Sequence, residues 1–210
     1  MKKFLLAGVL ILAVIFTVSC SKPEKSLLDR YFRAVQMQDN DTLSSMAVEP
    51  VSFVFTKWEL KSVGEQKAID SDYTAFAQAY ADVEKELNEL KPKVLDSNDA
   101  YEAAKAKKGN AAALAEAEKS RETMIGQYKE VQQRLQKAKD DLENVKVVIK
   151  KSLGEQTEPE GISLKKEEKT VVINIVGPTG AKDYNVILCR YNIENGQMGR
   201  WIIEKFEEIK

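Results

Sequence analysis

The side chains able to carry chemistry are few and scattered in this chain of 210 residues. Histidine is absent, which removes the usual general base near neutral pH and the commonest metal ligand. Two cysteines are present, Cys20 and Cys189. Cys189 lies in an apolar run and reads as a buried small hydrophobe, because nothing nearby in sequence marks a thiolate site. Among the carboxylates, Asp183 abuts a turn and Glu204 falls in an outward-looking alternation, so neither stands out as a base. The most concentrated charge-bearing turn is Lys105, Lys107, Lys108, Gly109 and Asn110. Its lysines are candidates for contact with an anionic partner, but lysines in the last turn of a helix more often compensate its dipole. No catalytic or metal-ligating constellation emerges, so the expectation is a non-enzyme without a cofactor.

The first nineteen residues stand apart from the rest. "MKK" supplies positive charge, "FLLAGVLILAVIFTV" an apolar core, and "SC" a small residue followed by cysteine, the layout of an export signal. Its apolar stretch, about 15 residues, is shorter than the roughly 20 that span a bilayer as a helix. At "TVSC" the segment resembles a bacterial lipoprotein signal, in which a lipid is attached to the cysteine that becomes the new N-terminus. Val18 and Ser19 fit that pattern, and Thr17 stands where it prefers leucine. The resemblance implies lipidation, such as palmitate, on Cys20. With Ser21 next in line, it also implies an outer-membrane anchor facing the periplasm. The alternatives are a secretory signal and an uncleaved N-terminal anchor; a Cys20 to Cys189 disulfide is open only if Cys20 carries no lipid. Loss of Lys2 and Lys3 with residues 1–19 takes the net charge from −1 to about −3, a balance that gives no reason to expect nucleic acid.

A long periodic region occupies the middle. Ile69, Tyr73, Phe76, Tyr80, Val83, Leu87, Leu90 and Val94 alternate in steps of four and three, and the count carries on to Ser97, Tyr101 and Ala104. That is a heptad seam. After "KKGN", a second seam reads Leu114, Ala117, Arg121, Met124, Tyr128, Val131, Leu135, Ala138, Leu142, Val145 and Ile149. In an antiparallel hairpin the numbers of facing residues add to a constant, and here every pair adds to 218. Of the 22 seam positions 20 are apolar, and the two exceptions, Ser97 and Arg121, fall opposite each other. A chain that is 43 % hydrophobic does not produce that coincidence by chance. The expectation is an antiparallel coiled-coil hairpin over 65–153 with its tip near Gly109, where a residue free to take positive φ ends the first helix. Arms of about 40 residues at roughly 1.5 Å per residue give a rod on the order of 60 Å. Pro92 removes one backbone hydrogen bond inside the first arm, and Gly126 lies level with it on the return. Together they predict a local kink, with a functional hinge as the sharper alternative.

The flanks differ in character. "SLLDRYFRAVQMQDNDTLSSM" places Leu27, Leu28, Tyr31, Phe32 and Val35 on one helical face, then restarts as a short helix capped by Asp41. "PVSFVFTKWELKSV" follows as a strand. "GEQTEPEG" is a charged linker. "KTVVINIV", "KDYNVILCRYNI" and "GRWIIEKFEEI" are three further strands, joined by "GPTG" and "ENGQMG" turns short enough for antiparallel neighbours. The sum is an α+β domain with a curved sheet of about four strands and a helix across it. This order resembles the NTF2-like, or cystatin-like, superfamily over residues 24–63 and 162–210, which implies a cone able to hold a small molecule.

The expected organisation is a signal over 1–19, a discontinuous α+β domain over 20–63 and 155–210, and the inserted hairpin. The expected role is that of a lipid-anchored cell-envelope protein using the hairpin for protein–protein docking, self-association or spacing. The alternatives are a periplasmic adaptor of an efflux or secretion assembly, and a small-ligand binder or enzyme using the cone.

Overall fold

The computed structural model describes residues 23–107 and 110–210; Cys20, Lys108 and Gly109 lie outside the described residues. The fold is α+β. In chain order the elements are α1 (Pro23–Met37), α2 (Asn40–Met46), β1 (Lys57–Val63), β2 (Lys67–Asp70), α3 (Asp72–Ala106), α4 (Ala111–Leu153), β3 (Leu164–Gly177), β4 (Gly180–Ile193) and β5 (Ile202–Glu208). The strands form one antiparallel sheet in the order β1-β3-β4-β5, with β2 also paired to β3.

The chain divides into two compact units, and the long strands β3 and β4 contribute to both. The first unit takes in the described residues up to Gln66 together with Lys169–Cys189 and Trp201–Lys210. Its helix α1 starts with Pro23, whose missing N–H costs nothing at a first helical position. The spacing of Leu28, Tyr31, Phe32 and Val35 turns them to one face, and all four are buried against Val171, Ile173, Ile175, Val186, Leu188 and Ile203 of the sheet. Burying a side chain of this size stabilises by roughly 1.5–3 kcal/mol, so this face alone fixes α1 on the sheet. Phe53, Phe55, Trp58 and Phe206 pack around Phe32, with the Trp58 ring stacked on it at 4.9 Å between centroids. The Tyr31 hydroxyl donates to the Val51 carbonyl and accepts from the Val51 N–H, both at 2.8 Å. These side chains fill the space between α1 and the sheet.

Several local expectations change. The N-cap of α2 is Asp39, not Asp41: its carboxylate accepts from the Thr42 N–H at 3.0 Å and from the Thr42 hydroxyl at 2.7 Å. Gln38 takes φ 54° and turns the chain, which sets the cap two residues earlier than Asp41. The first strand is shorter than "PVSFVFTKWELKSV", because residues 50–56 run outside the ladder until the Thr56 N–H reaches the Val176 carbonyl at 2.8 Å. Glu204 does not look outward. The pairing of β4 with β5 shifts between Ile187 and Leu188, so Glu204 is skipped in the register, both Ile202 and Ile203 are fully buried, and one Glu204 carboxylate oxygen is enclosed. A bulge of this kind resets the alternation that a period of two assumes. Cys189 is fully buried.

Candidate functional site: the helical hairpin and its root

The second unit, Lys67–Glu168 with Arg190–Arg200, is built on α3 and α4, of 35 and 43 residues. Ser71 caps α3 by accepting from the Tyr73 N–H at 3.3 Å. The helices run antiparallel: Leu87, Leu90 and Val131 form one buried cluster with Val83, Val94, Met124, Tyr128 and Leu135 around it. Every seam position from Tyr73 to Ala104 and from Leu114 to Ile149 is buried or half-buried.

The seam departs from the expected one at its root. Ile69 is not its first member; it sits in β2, opposite Lys166 of β3, and is exposed. Ile149, its expected partner, is instead buried with Leu153, Tyr191, Leu164 and Ile193. Numbers adding to 218 set Tyr73 opposite Val145, so α4 runs about two turns beyond the start of α3, and those two turns root the hairpin.

The root is a polar latch. Ser152, 4 % exposed, donates its hydroxyl to the Arg200 carbonyl at 2.9 Å and accepts the Tyr191 N–H at 2.9 Å. The last carbonyls of a helix have no partner within it. Here the Arg200 guanidinium reaches the Lys151 carbonyl at 2.7 Å, the Arg200 N–H the Ser152 carbonyl at 2.9 Å, and the Gln197 amide the Leu153 carbonyl at 2.9 Å. Gly199 passes so close that a Cβ on it would lie 2.2 Å from the Tyr191 carbonyl oxygen and 2.4 Å from the Ser152 hydroxyl. In sequence "ENGQMG" has the composition of a plain turn, and its two glycines are the one local sign of a close approach.

Charge is arranged beside the root. The Lys146 amine pairs with Glu160 at 2.8 Å and Glu143 at 3.5 Å. The hydrogen bond from Lys146 holds the Glu160 carboxyl below its ordinary range, and the same bond raises Lys146. Burial, then the nearby Glu160 charge, push the Tyr73 phenol up. A carboxyl with a depressed folded pKa stabilises fully above its unfolded pKa, and that contribution disappears as pH falls through the folded value. Thermal melts of the wild type and Glu160→Gln are therefore expected to differ at pH 6 and to converge as pH drops below the ordinary carboxylate range. A difference that persists undiminished at pH 3 contradicts this assignment.

The singled-out residues occupy different stations. Lys105 lies in the last turn of α3 with its amine 5.7 Å from the Tyr101 ring centre, and Lys107 is the exposed C-cap. Asn110 is the N-cap of α4, accepting from the Ala113 N–H at 3.1 Å. Helix α3 continues uninterrupted across Pro92, and both Pro92 and Gly126 are exposed. The seam exceptions Ser97 and Arg121 do not bond each other. The Ser97 hydroxyl turns back to the Val94 carbonyl at 2.8 Å, while Arg121 donates to Asn98 at 2.7 Å and lies 4.8 Å from the Tyr101 ring centre.

Among the described residues, no group of three or more Cys, Asp or Glu side chains is placed to hold a metal ion, and no helix is long and apolar enough to cross a membrane. Comparison with protein-family models, curated proteins and solved structures finds no match to this chain.

Proposed function

We propose that this chain is a non-enzymatic, lipid-anchored protein of the bacterial cell envelope that uses its helical hairpin to dock on, or hold distance from, another protein or a second copy of itself. The observation that carries this reading is the continuous seam from Tyr73 and Val145 out to Ala104 and Leu114. Helices packed on each other along the root-side seam make a stiff shaft, which limits the reach of its far part as a flexible linker does not. Polar outer faces suit such an arm to an aqueous compartment. The α1–sheet unit is the carrier, and its helix followed by a closing meander of strands is similar to the NTF2-like superfamily. Aromatic side chains packed between α1 and the sheet favour a carrier over a ligand cone.

The test is made in cells with the full chain. A photo-crosslinking side chain in place of Lys107 is expected to give a discrete adduct with a protein, and the same probe at Lys139 on the hairpin shaft is not. Absence of any adduct at Lys107, in cells that make the protein, removes tip-mediated docking. The anchor is tested separately with an alkyne fatty acid: wild type should be labelled and Cys20→Ala should not.

A further inference from the structure

The hairpin is not held with equal strength along its length. Seven seam layers lie on the root side, from Tyr73/Val145 to Val94/Met124, and they contain every buried apolar residue of the seam proper: Tyr73, Leu87, Leu90, Val131, Leu142 and Val145. The apolar cluster stops at Val94 and Met124. Next comes the polar layer of Ser97, Asn98 and Arg121, with the Arg121 guanidinium against the Tyr101 ring. Beyond it only two layers remain, Tyr101/Ala117 and Ala104/Leu114, and each has an alanine on one side. Among the described residues between Ser97 and Arg121, none is buried.

We infer that the Ser97–Asn98–Arg121 layer is a built-in boundary: the distal segments, residues 99–107 and 110–120, open together while the root-side hairpin stays closed. Three physical terms act together. Two alanine-containing layers offer far less apolar burial than a Leu/Val pair, since stabilisation follows the area removed from water. Helical segments this short are marginal in water once they lose their partner, so separation and melting occur together as one sub-global opening. On α3 the boundary falls in "DSND", residues 96–99, whose side chains compete for backbone hydrogen bonds and weaken helix. The facing helix α4 begins with alanines 111, 112 and 113, strong helix formers, so the opening starts on the α3 arm. Opening uncovers Tyr101 and Leu114, an apolar strip at the end of the arm that the closed hairpin half conceals. The use of that strip rests on the docking reading above; the opening itself does not.

Hydrogen exchange on the full chain, read by mass spectrometry and corrected for intrinsic rates, tests it independently of any partner. Amides of 99–107 are expected to exchange at least about tenfold faster than those of 76–94 and 124–145, as a sub-global opening requires. Tyr101→Ala should accelerate exchange in 99–107 and 110–120 alone. The double variant Ser97→Leu with Arg121→Leu, which continues the apolar seam, should slow distal exchange by about tenfold. Uniform protection along both helices overturns the inference, and so does a Tyr101→Ala variant whose distal rates match the wild type. Missing crosslinks at Lys107 combined with a fast distal segment would sink the docking role and leave the boundary standing.

Discussion

Gly199→Ala is expected to lower the stability of the hairpin unit by on the order of 3 kcal/mol, the range reached when overpacking adds to a lost hydrogen bond. The added Cβ meets the Tyr191 carbonyl oxygen at 2.2 Å and the Ser152 hydroxyl at 2.4 Å. Neither atom can swing away freely. The first belongs to the backbone of β4 and accepts the Gly199 N–H at 3.0 Å; the second is held between the Arg200 carbonyl and the Tyr191 N–H. Relief of the clash must therefore move the 197–200 segment, and that segment satisfies the last carbonyls of α4. Unmet buried polar groups cost about 1–3 kcal/mol each, so one displaced methyl propagates into several bonds. At roughly 2–4 °C per kcal/mol for a chain of this size, the melting temperature should fall by about 10 °C. Gly126→Ala is the control. Nothing lies within 4 Å of a Cβ there, and alanine in a helix interior is favoured over glycine by roughly 0.5–1 kcal/mol, so that variant should be neutral or slightly more stable. Equal melting temperatures for Gly199→Ala and wild type would overturn the latch.

What the sequence revealed about this fold follows from the range of the interactions involved. The hairpin was legible because its signal is local and repeated. Tyr73, Val83, Leu90 and Leu142 each follow from a neighbour three or four residues away, and many repeats average out the odd polar member such as Arg121. The same periodicity misassigned Ile69, which stands four residues before Tyr73 and so keeps the helical phase while belonging to β2. Four exposed residues, "KAID", carry no alternation of burial by which a strand could be recognised. Acceptor residues crowd the turn before α2, so its sequence points to Asp41 as readily as to Asp39, and the positive φ of Gln38 that selects Asp39 is a backbone property. Glu204 was misread because a bulge has no composition of its own. The latch was invisible for a different reason. Ser152 and Tyr191 are 39 residues apart, and Ser152 and Arg200 are 48 apart; no periodic rule links a serine in a helix's last turn to a turn glycine in another element. The tip lysines were easy to single out, but their neighbour Asn110 proves to be occupied as a helix cap, a role that the sequence "GNAAA" already supports.

Lys169→Ala is expected to destabilise the α1–sheet unit by about 3–5 kcal/mol, the cost of removing one partner from a buried ion pair. The pair is Lys169 on β3 with Glu24 in the first turn of α1, and their side chains are only 13 % and 4 % exposed. The Lys169 amine also lies 4.9 Å from the centre of the Trp201 ring, which is itself buried. Three terms therefore converge on one ammonium group. It balances a carboxylate taken out of water, it lies over an aromatic face worth about 2 kcal/mol when desolvated, and it ties the first turn of α1 to the sheet. The Glu24 carboxylate, at a helix N-terminus, is favoured there by the macrodipole as well, but that contribution, about 0.3–1 kcal/mol on exposed sites, is too small to replace a buried partner. Removing both charges should cost less than removing one. Glu24→Leu with Lys169→Met keeps the volume, leaves no ion to desolvate, and is expected to recover most of the loss, as apolar replacements of buried pairs do. Urea unfolding followed by Trp fluorescence reads both variants, since Trp58 and Trp201 both lie in this unit. A double variant as unstable as Lys169→Ala would mean that the loss does not come from leaving the Glu24 carboxylate without its partner charge. Near-wild-type stability of Lys169→Ala alone would show that Glu24 does not depend on Lys169, and that the first turn of α1 is held by its apolar face.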